Sequence, residues 1–304
     1  SCADRPCRER GPGPRGKLSG CGPAKIPRRP IKVIPRDPTP PAPPPPVKRE
    51  IEFLPLKTFV FDTPAEAMES AAREMANWIR TKKYQRGDAC LGLTTGGHLE
   101  GFYEKLIQMS GIEDKGGLPI SGVRTFTVAE QFGLGPQDPR SLRHWIESRL
   151  FARWGARAEN QHFLRGDIAA GEVDGAAQEY ETRLKALGPD LVLVGLGANG
   201  RLGINEPGSE ATSRTRRVSL SPSSRAELAA EHGFPAFEEQ ALGLGLSTLR
   251  GVKRVRVYAF GSDKAAAVER AMRPEFDPQH PLSVMAGHKD FQLLLDPAAA
   301  AALE

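Results

Sequence analysis

The residues best suited to chemistry begin at Thr94-Thr95-Gly96-Gly97-His98. Glycines let backbone N–H groups approach an anion, threonine hydroxyls add donors, and a helix starting there supplies positive potential. That is the chemistry of a phosphate site, although many strand-to-helix turns contain glycine and spacing alone leaves a plain turn open. His98 reads either as a direct anion contact or as a partly exposed imidazole beside the loop. A second, more specific stretch follows the apolar run Leu191–Val194: Gly195-Leu196-Gly197-Ala198-Asn199-Gly200-Arg201-Leu202-Gly203-Ile204-Asn205-Glu206-Pro207-Gly208. Its arginine can hold carboxylate or phosphate but cannot act as a general base, because its pKa lies far above the working range. His144, His162, His232, His280 and His288 show no metal-ligand spacing and read as structural. Cys2, Cys7, Cys21 and Cys90 fit neither a zinc site nor a disulfide framework. The expectation is no metal and no cofactor.

The elements that must carry these residues follow from periodicity. Thr63-Pro64 reads as a helix start, with Ala67, Met68, Ala71, Met75, Trp78 and Ile79 repeating at three and four. The run Ala89–Leu93 reads as a strand leading through the glycine turn into a helix at Phe102–Met109. Val123–Val128, Leu191–Val194, Val255–Phe260 and Phe291–Leu295 read as further strands, and Leu142–Phe151, Gly171–Leu187 and Lys264–Met272 as helices. Alternating strands and helices predict an α/β fold, a Rossmann-like, doubly wound, mostly parallel sheet with helices on both faces. In such sheets ligands sit at the carboxyl ends of the strands, where these turns fall.

The 304 residues carry a net charge of +5, but the charge is unevenly placed. Residues 1–50 hold twelve Lys/Arg against four Asp/Glu and fourteen of the 27 prolines, while the rest of the chain is net −3. Residues 1–54 therefore read as a disordered or polyproline-II tail, and 55–304 as one domain. A basic globular surface for nucleic acid is not supported. With no apolar stretch of about 18 residues, neither a membrane span nor secretion is expected, and the cytoplasm is the default location.

The stretch from Asp190 to Ser209 resembles the glucosamine-6-phosphate deaminase signature, an apolar strand followed by G-x-G-x-D-G-H-I-x-F-N-E-P. The Asn-Glu-Pro-Gly ending sets it apart from the related 6-phosphogluconolactonases. Leu91–Gly97 is similar to that family's phosphate loop, and Thr125–Leu134 to its T-F-N-x-D-E-Y-x-G-L. Asp138-Pro139-Arg140-Ser141, Ser213-Arg214-Thr215-Arg216 and Gly261-Ser262-Asp263-Lys264-Ala265 match further segments in order, so the resemblance spans about residues 56–300. It implies the ribose-5-phosphate isomerase-like version of the fold and a phosphorylated sugar or amino sugar as partner, and it admits a homo-oligomer.

By position, the resemblance implies phosphate contacts from Thr95, Gly96, Gly97 and Lys264; Thr94 and His98 are further candidates beside them, His98 standing where the family usually has Thr or Ser. The family's phosphate-binding arginine on a following helix falls, counted without gaps, on Ala230, so Arg225 can replace it only after a shift of one turn. The family reaction opens the sugar ring, moves a proton between C2 and C1 and releases ammonia. It requires a carboxylate base and a ring-opening imidazole oriented by carboxylates. Here the base position is Ala129, the orienting Asp is Asn199 and the ring-opening His is Arg201. Glu206 remains from the acid–base set, with Glu130 beside the lost base. Arg201 reads as an anion holder, as a partner of Glu206 that locks the pocket, or as a side chain pointing to solvent. Arg214 and Arg216 read either as a solvated basic loop or, as the resemblance implies from some relatives, as an allosteric phosphate-binding segment. Three functions compete: a diverged sugar-phosphate isomerase or deaminase using Glu130 or Glu206, a non-catalytic sugar-phosphate sensor, or an interaction protein working through its Pro-rich arm.

Overall fold

A computed structural model describes residues 47, 49–51, 55–85, 87–111 and 117–303. In chain order the first strands are β1 (Arg49–Ile51), β2 (Thr58–Val60), β3 (Cys90–Leu93), β4 (Arg124–Thr127), β5 (Ala129–Gln131) and β6 (Gln161–His162). They are followed by β7 (Leu191–Gly195), β8 (Arg216–Ser219), β9 (Gln240–Gly243), β10 (Arg254–Ala259) and β11 (Phe291–Leu295). The helices are α1 (Pro64–Tyr84), α2 (His98–Ser110), α3 (Leu142–Ile146), α4 (Ala152–Trp154) and α5 (Val173–Leu187). After them come α6 (Pro222–His232), α7 (Leu246–Arg250), α8 (Ala265–Ala271) and α9 (Pro297–Ala300).

Eight strands form the main sheet in the order β1-β2-β11-β10-β7-β3-β4-β6. Every neighbouring pair is parallel except β1 with β2. The mostly parallel sheet expected from the strand–helix alternation is therefore present. Its strands are short and apolar on both faces, as a doubly covered sheet demands. On β7, Val192 and Val194 join Val257 and Leu295 on one face, against Tyr180 and Leu184 of α5. Leu191 and Leu193 turn to the other face, with Leu91 and Leu93, against Met75 of α1 and Phe102 of α2. Removing one such side chain from water stabilises the fold by about 1.5–3 kcal/mol. Gly92 lets the middle of the sheet close, since a Cβ there would lie 2.6 Å from a Val192 methyl and 2.7 Å from the Phe126 ring.

Three findings depart from the sequence reading. The sheet includes Arg49–Ile51, paired antiparallel with β2, although the reading gave those residues to the tail; the other tail residues, apart from Val47, lie outside the described ones. The helix expected over 142–151 is α-helical only to Ile146 and widens into a π stretch, Glu147–Phe151. Trp145, Leu150 and Trp154 are all buried, five and four residues apart, a spacing the wider turn serves. A second sheet, antiparallel in the order β5-β9-β8, was not anticipated. Its strands have three or four residues each, too few for alternation to show in the sequence.

Candidate functional site

The turns after β3, β7 and β10 lie at neighbouring carboxyl ends of the main sheet, and α6 packs over them. Tight geometry sets the first turn. Thr94 Oγ1 donates to the Leu193 carbonyl at 2.8 Å, and the Thr94 carbonyl accepts from the Tyr103 hydroxyl at 2.6 Å. Gly96 has φ +135°, a conformation closed to ordinary L-residues. Gly97 N–H donates to the Glu231 carbonyl at 2.6 Å. Thr95 Oγ1 lies 2.7 Å from His232 Nε2. Both of the latter partners belong to the last turn of α6. His98, at the start of α2, meets the Phe260 ring edge-on at 5.3 Å between centroids. Burial, reinforced by the Lys264 charge, holds its pKa below the ordinary histidine value.

Across the cleft, three donor groups converge on one carboxylate. Lys264 Nζ bonds to Glu227 Oε1 and to Asp263 at 2.8 Å. Arg201 Nη2 donates to Glu227 Oε2 at 3.2 Å, and Ala198 N–H donates to Glu227 Oε1 at 3.1 Å. Arg201 is 3% exposed, and its Nη1 bonds to the Gly203 carbonyl. Gly197 makes this approach possible, because a Cβ there would sit 2.9 Å from Glu227 Oε2.

Two cavities flank α6. The outer one, about 240 Å³, is bounded by His98, Glu227, Ala230, Phe260 and Lys264. The inner one, lined by Thr94, Ala129, Ile146, Arg201, Leu228 and Phe237, holds only about 50 Å³. Drug-sized ligands occupy pockets of about 300–1,000 Å³. Glu231 and Tyr258 line both cavities. Burial raises the pKa of Glu231, opposed by the nearby Arg201 charge.

Residues 62–294 match the model of the glucosamine-6-phosphate isomerases/6-phosphogluconolactonase family. The chain belongs to this family. It is 37% identical over 238 residues to the glucosamine-6-phosphate deaminase of Rhodopirellula baltica, covering 78% of this chain and 93% of that one. It is 34% identical to the Bacillus velezensis deaminase, over 77% and 95% of the two chains. A monomeric glucosamine-6-phosphate deaminase of known structure superposes with a TM-score of 0.73 at 30% identity, over 81% of this chain and 99% of that one. The 6-phosphogluconolactonase of Trypanosoma brucei shares the fold, with a TM-score of 0.64 at 17% identity over 81% of this chain and 98% of that one.

Measured against this family's pattern, the expected site residues are brought together only in part. Thr94, Thr95, Gly96, Gly97, His98 and Lys264 do gather around the cleft. Arg201 points neither to solvent nor to Glu206; its charge is spent on Glu227, the nearer carboxylate. Glu206 instead accepts from Asn199 Nδ2 at 2.9 Å and from Ser221 N–H at 3.1 Å, where a carboxylate meets the positive start of α6. Asn199 also accepts from Arg201 N–H at 3.0 Å, so one amide side chain ties the two neighbours together.

Glu130 is 2% exposed and lines neither cavity. It accepts from Leu142 N–H at 2.9 Å, Arg143 N–H at 2.8 Å and Ser141 Oγ at 2.9 Å, anchoring the start of α3. Burial nevertheless raises its pKa against those bonds. Arg225 lines neither cavity, whereas Ala230 borders the outer one, so α6 does not make the one-turn shift that would bring an arginine in. Arg216 reaches the signature turn, donating to Asn205 Oδ1 at 2.9 Å and Ser209 Oγ at 3.1 Å, and is no solvated loop residue.

Sequence reasoning missed Glu227 and Glu231, whereas His232, read there as structural, is buried and bonded to the Leu228 carbonyl and to Thr95. The i,i+4 spacing of Glu227 and Glu231 puts both on one face of α6, but such a pair ordinarily faces solvent. Only the fold shows which face it is. Among the described residues, no group of three His, Cys, Asp or Glu side chains is placed to hold a metal, and no helix is long and apolar enough to cross a membrane.

Proposed function

We propose that the protein binds a phosphorylated sugar or amino sugar in the cleft under α6, and does so as a diverged family member without the usual deamination proton shuttle. One observation carries the reading. Ala129 lines the inner cavity at the position where the family pattern has its proton-abstracting Asp. A methyl group moves no proton. The two neighbouring changes act in the same direction, since Arg201 is a permanent cation already paired with Glu227, and Asn199 is spent between Arg201 and Glu206. Losing one member of a cooperating catalytic set removes most of its rate contribution. Binding is supported by the glycine turn at Gly96-Gly97 and by Lys264 opposite it, the groups that suit an anion.

A second reading has its own support. Glu231 is a partly buried carboxyl with a raised pKa that borders both cavities, the environment of a relocated general base.

Ammonia release from glucosamine 6-phosphate separates the two, with thermal shift against a panel of phosphosugars run alongside. The first reading expects a ligand-dependent rise in Tm with no enzyme-like ammonia release. Turnover that disappears in Glu231→Gln supports the second. No Tm shift with any phosphosugar sinks both.

A further inference from the structure

We propose that Glu227 is a built-in anion: its carboxylate occupies the place of a ligand's phosphate, so a phosphosugar enters only when α6 carries Glu227 away. The proposal rests on the phosphosugar reading above and adds the step by which such a ligand would be admitted.

The donor set around Glu227 is the set a phosphate takes. An ammonium (Lys264), a guanidinium (Arg201) and a backbone N–H at a glycine turn (Ala198) all converge on its two oxygens. Charge-assisted bonds of this kind are the stronger ones, and Arg and Lys are the usual phosphate partners. The glutamate side chain is 16% exposed, and its two cations are 4% and 9% exposed. No competing solvent weakens the contact much, and an incoming phosphate would have to displace it. The close approach depends on Gly197, where any Cβ would crowd Glu227 Oε2 at 2.9 Å.

The other phosphate turn is engaged by the same helix. Gly97 N–H, the donor most suited to an anion there, is bonded to the Glu231 carbonyl, and Thr95 Oγ1 is bonded to His232. One helix therefore consumes donors from the turns after β3, β7 and β10 at once. Leu228, Glu231 and His232 of that helix also close the inner cavity to about 50 Å³. Moving α6 outward would release the donors and enlarge the cavity in a single motion. Its N-terminal end has a natural pivot, because Ser221 is tied to Glu206 by backbone and side chain.

The test titrates the full chain and its Glu227→Gln and Glu227→Ala variants with inorganic phosphate and with glucosamine 6-phosphate. Both variants are expected to bind inorganic phosphate about tenfold or more tighter than wild type. Equal or weaker binding by the variants, while wild type binds glucosamine 6-phosphate, overturns the built-in anion and leaves the phosphosugar reading standing. Tighter inorganic phosphate in the variants, with no chain binding glucosamine 6-phosphate, supports the built-in anion and sinks the phosphosugar reading. Binding of neither ligand by any chain overturns both. Should the variants fail to fold, hydrogen exchange on wild type decides the matter. Saturating glucosamine 6-phosphate should speed exchange along α6 by severalfold, and unchanged or slower exchange there refutes displacement.

Discussion

The turn after β3 and the turn after β7 lie side by side in one sheet and have fared differently. Thr94–Gly97 keeps the residue types of a phosphate loop, yet Gly97 N–H and Thr95 Oγ1 already have partners on α6. The turn after β7 has lost the imidazole and the aspartate of the pattern, yet its replacements form a closed network. Arg201 meets Glu227 and Gly203, while Asn199 meets Glu206, Ser224 and Arg201. Retained letters do not guarantee available donors, and altered letters do not mean a slack site. What decides is where each donor ends.

The largest expected effect breaks the network of the second turn. Arg201→Ala leaves the Glu227 carboxylate largely buried with Lys264 as its remaining cation. Removing one partner of a buried ion pair costs about 3–5 kcal/mol, so the urea midpoint should fall sharply. A loss under about 1 kcal/mol would mean that the β7 turn is not organised around this pair.

The first turn is probed by acid. His232, stacked on Phe234 at 5.1 Å and bonded to Thr95, is buried and its pKa is pushed down to about 4. A histidine depressed in the folded state takes up its proton first in the unfolded chain. Its contribution is therefore complete above the ordinary value near 6.5 and is lost as pH falls towards about 4, some 3 kcal/mol in all. Glu130 and Glu231, with raised pKa values, run the other way and favour the folded state as pH falls. Comparing wild type with His232→Phe by urea unfolding at about pH 7 and pH 4.5 isolates the histidine. The wild-type advantage should narrow at the lower pH; an unchanged gap would show that the α6–Thr95 contact is not a neutral buried imidazole. Gly96→Ala in the same turn should cost about 1–3 kcal/mol, since φ +135° is open to glycine alone. A neutral result would show that the turn is not held in this shape.

Much of the fold could be read from the chain because its signals are local and repeated. Val255–Phe260 and Phe291–Leu295 are apolar runs of strand length, and the observed strands fall within a residue of them. The site was legible only as far as its backbone. The glycine turns and Lys264 announced where an anion would sit. Nothing along the sequence announced that Glu227, 37 residues before Lys264, would take that seat. Glu130 misled for a related reason. Its place beside Ala129 suggested chemistry, but successive residues of a strand face opposite ways, so Ala129 lines the cavity while Glu130 turns to the start of α3. The short β5-β9-β8 sheet and the i,i+4 pair on α6 acquire meaning only through contacts between distant segments.

The smallest predicted effect sharpens the contrast between the two turns most directly. Asn199→Asp restores the residue of the family pattern, and a simple view would expect it to be harmless. The geometry argues otherwise. Asn199 Nδ2 donates to Glu206 at 2.9 Å and to Ser224 at 3.1 Å, and an ionised Asp can donate to neither. It would also set two carboxylates within hydrogen-bond distance, where each disfavours ionisation of the other. A loss of about 1–2 kcal/mol at neutral pH should follow. Combining it with Arg201→His should not recover the loss, because the imidazole would leave Glu227 facing Lys264 without its second cation. If the single change is instead neutral at pH 7, the amide is not what holds Glu206 against the start of α6, and the turn after β7 is looser than its hydrogen bonds imply.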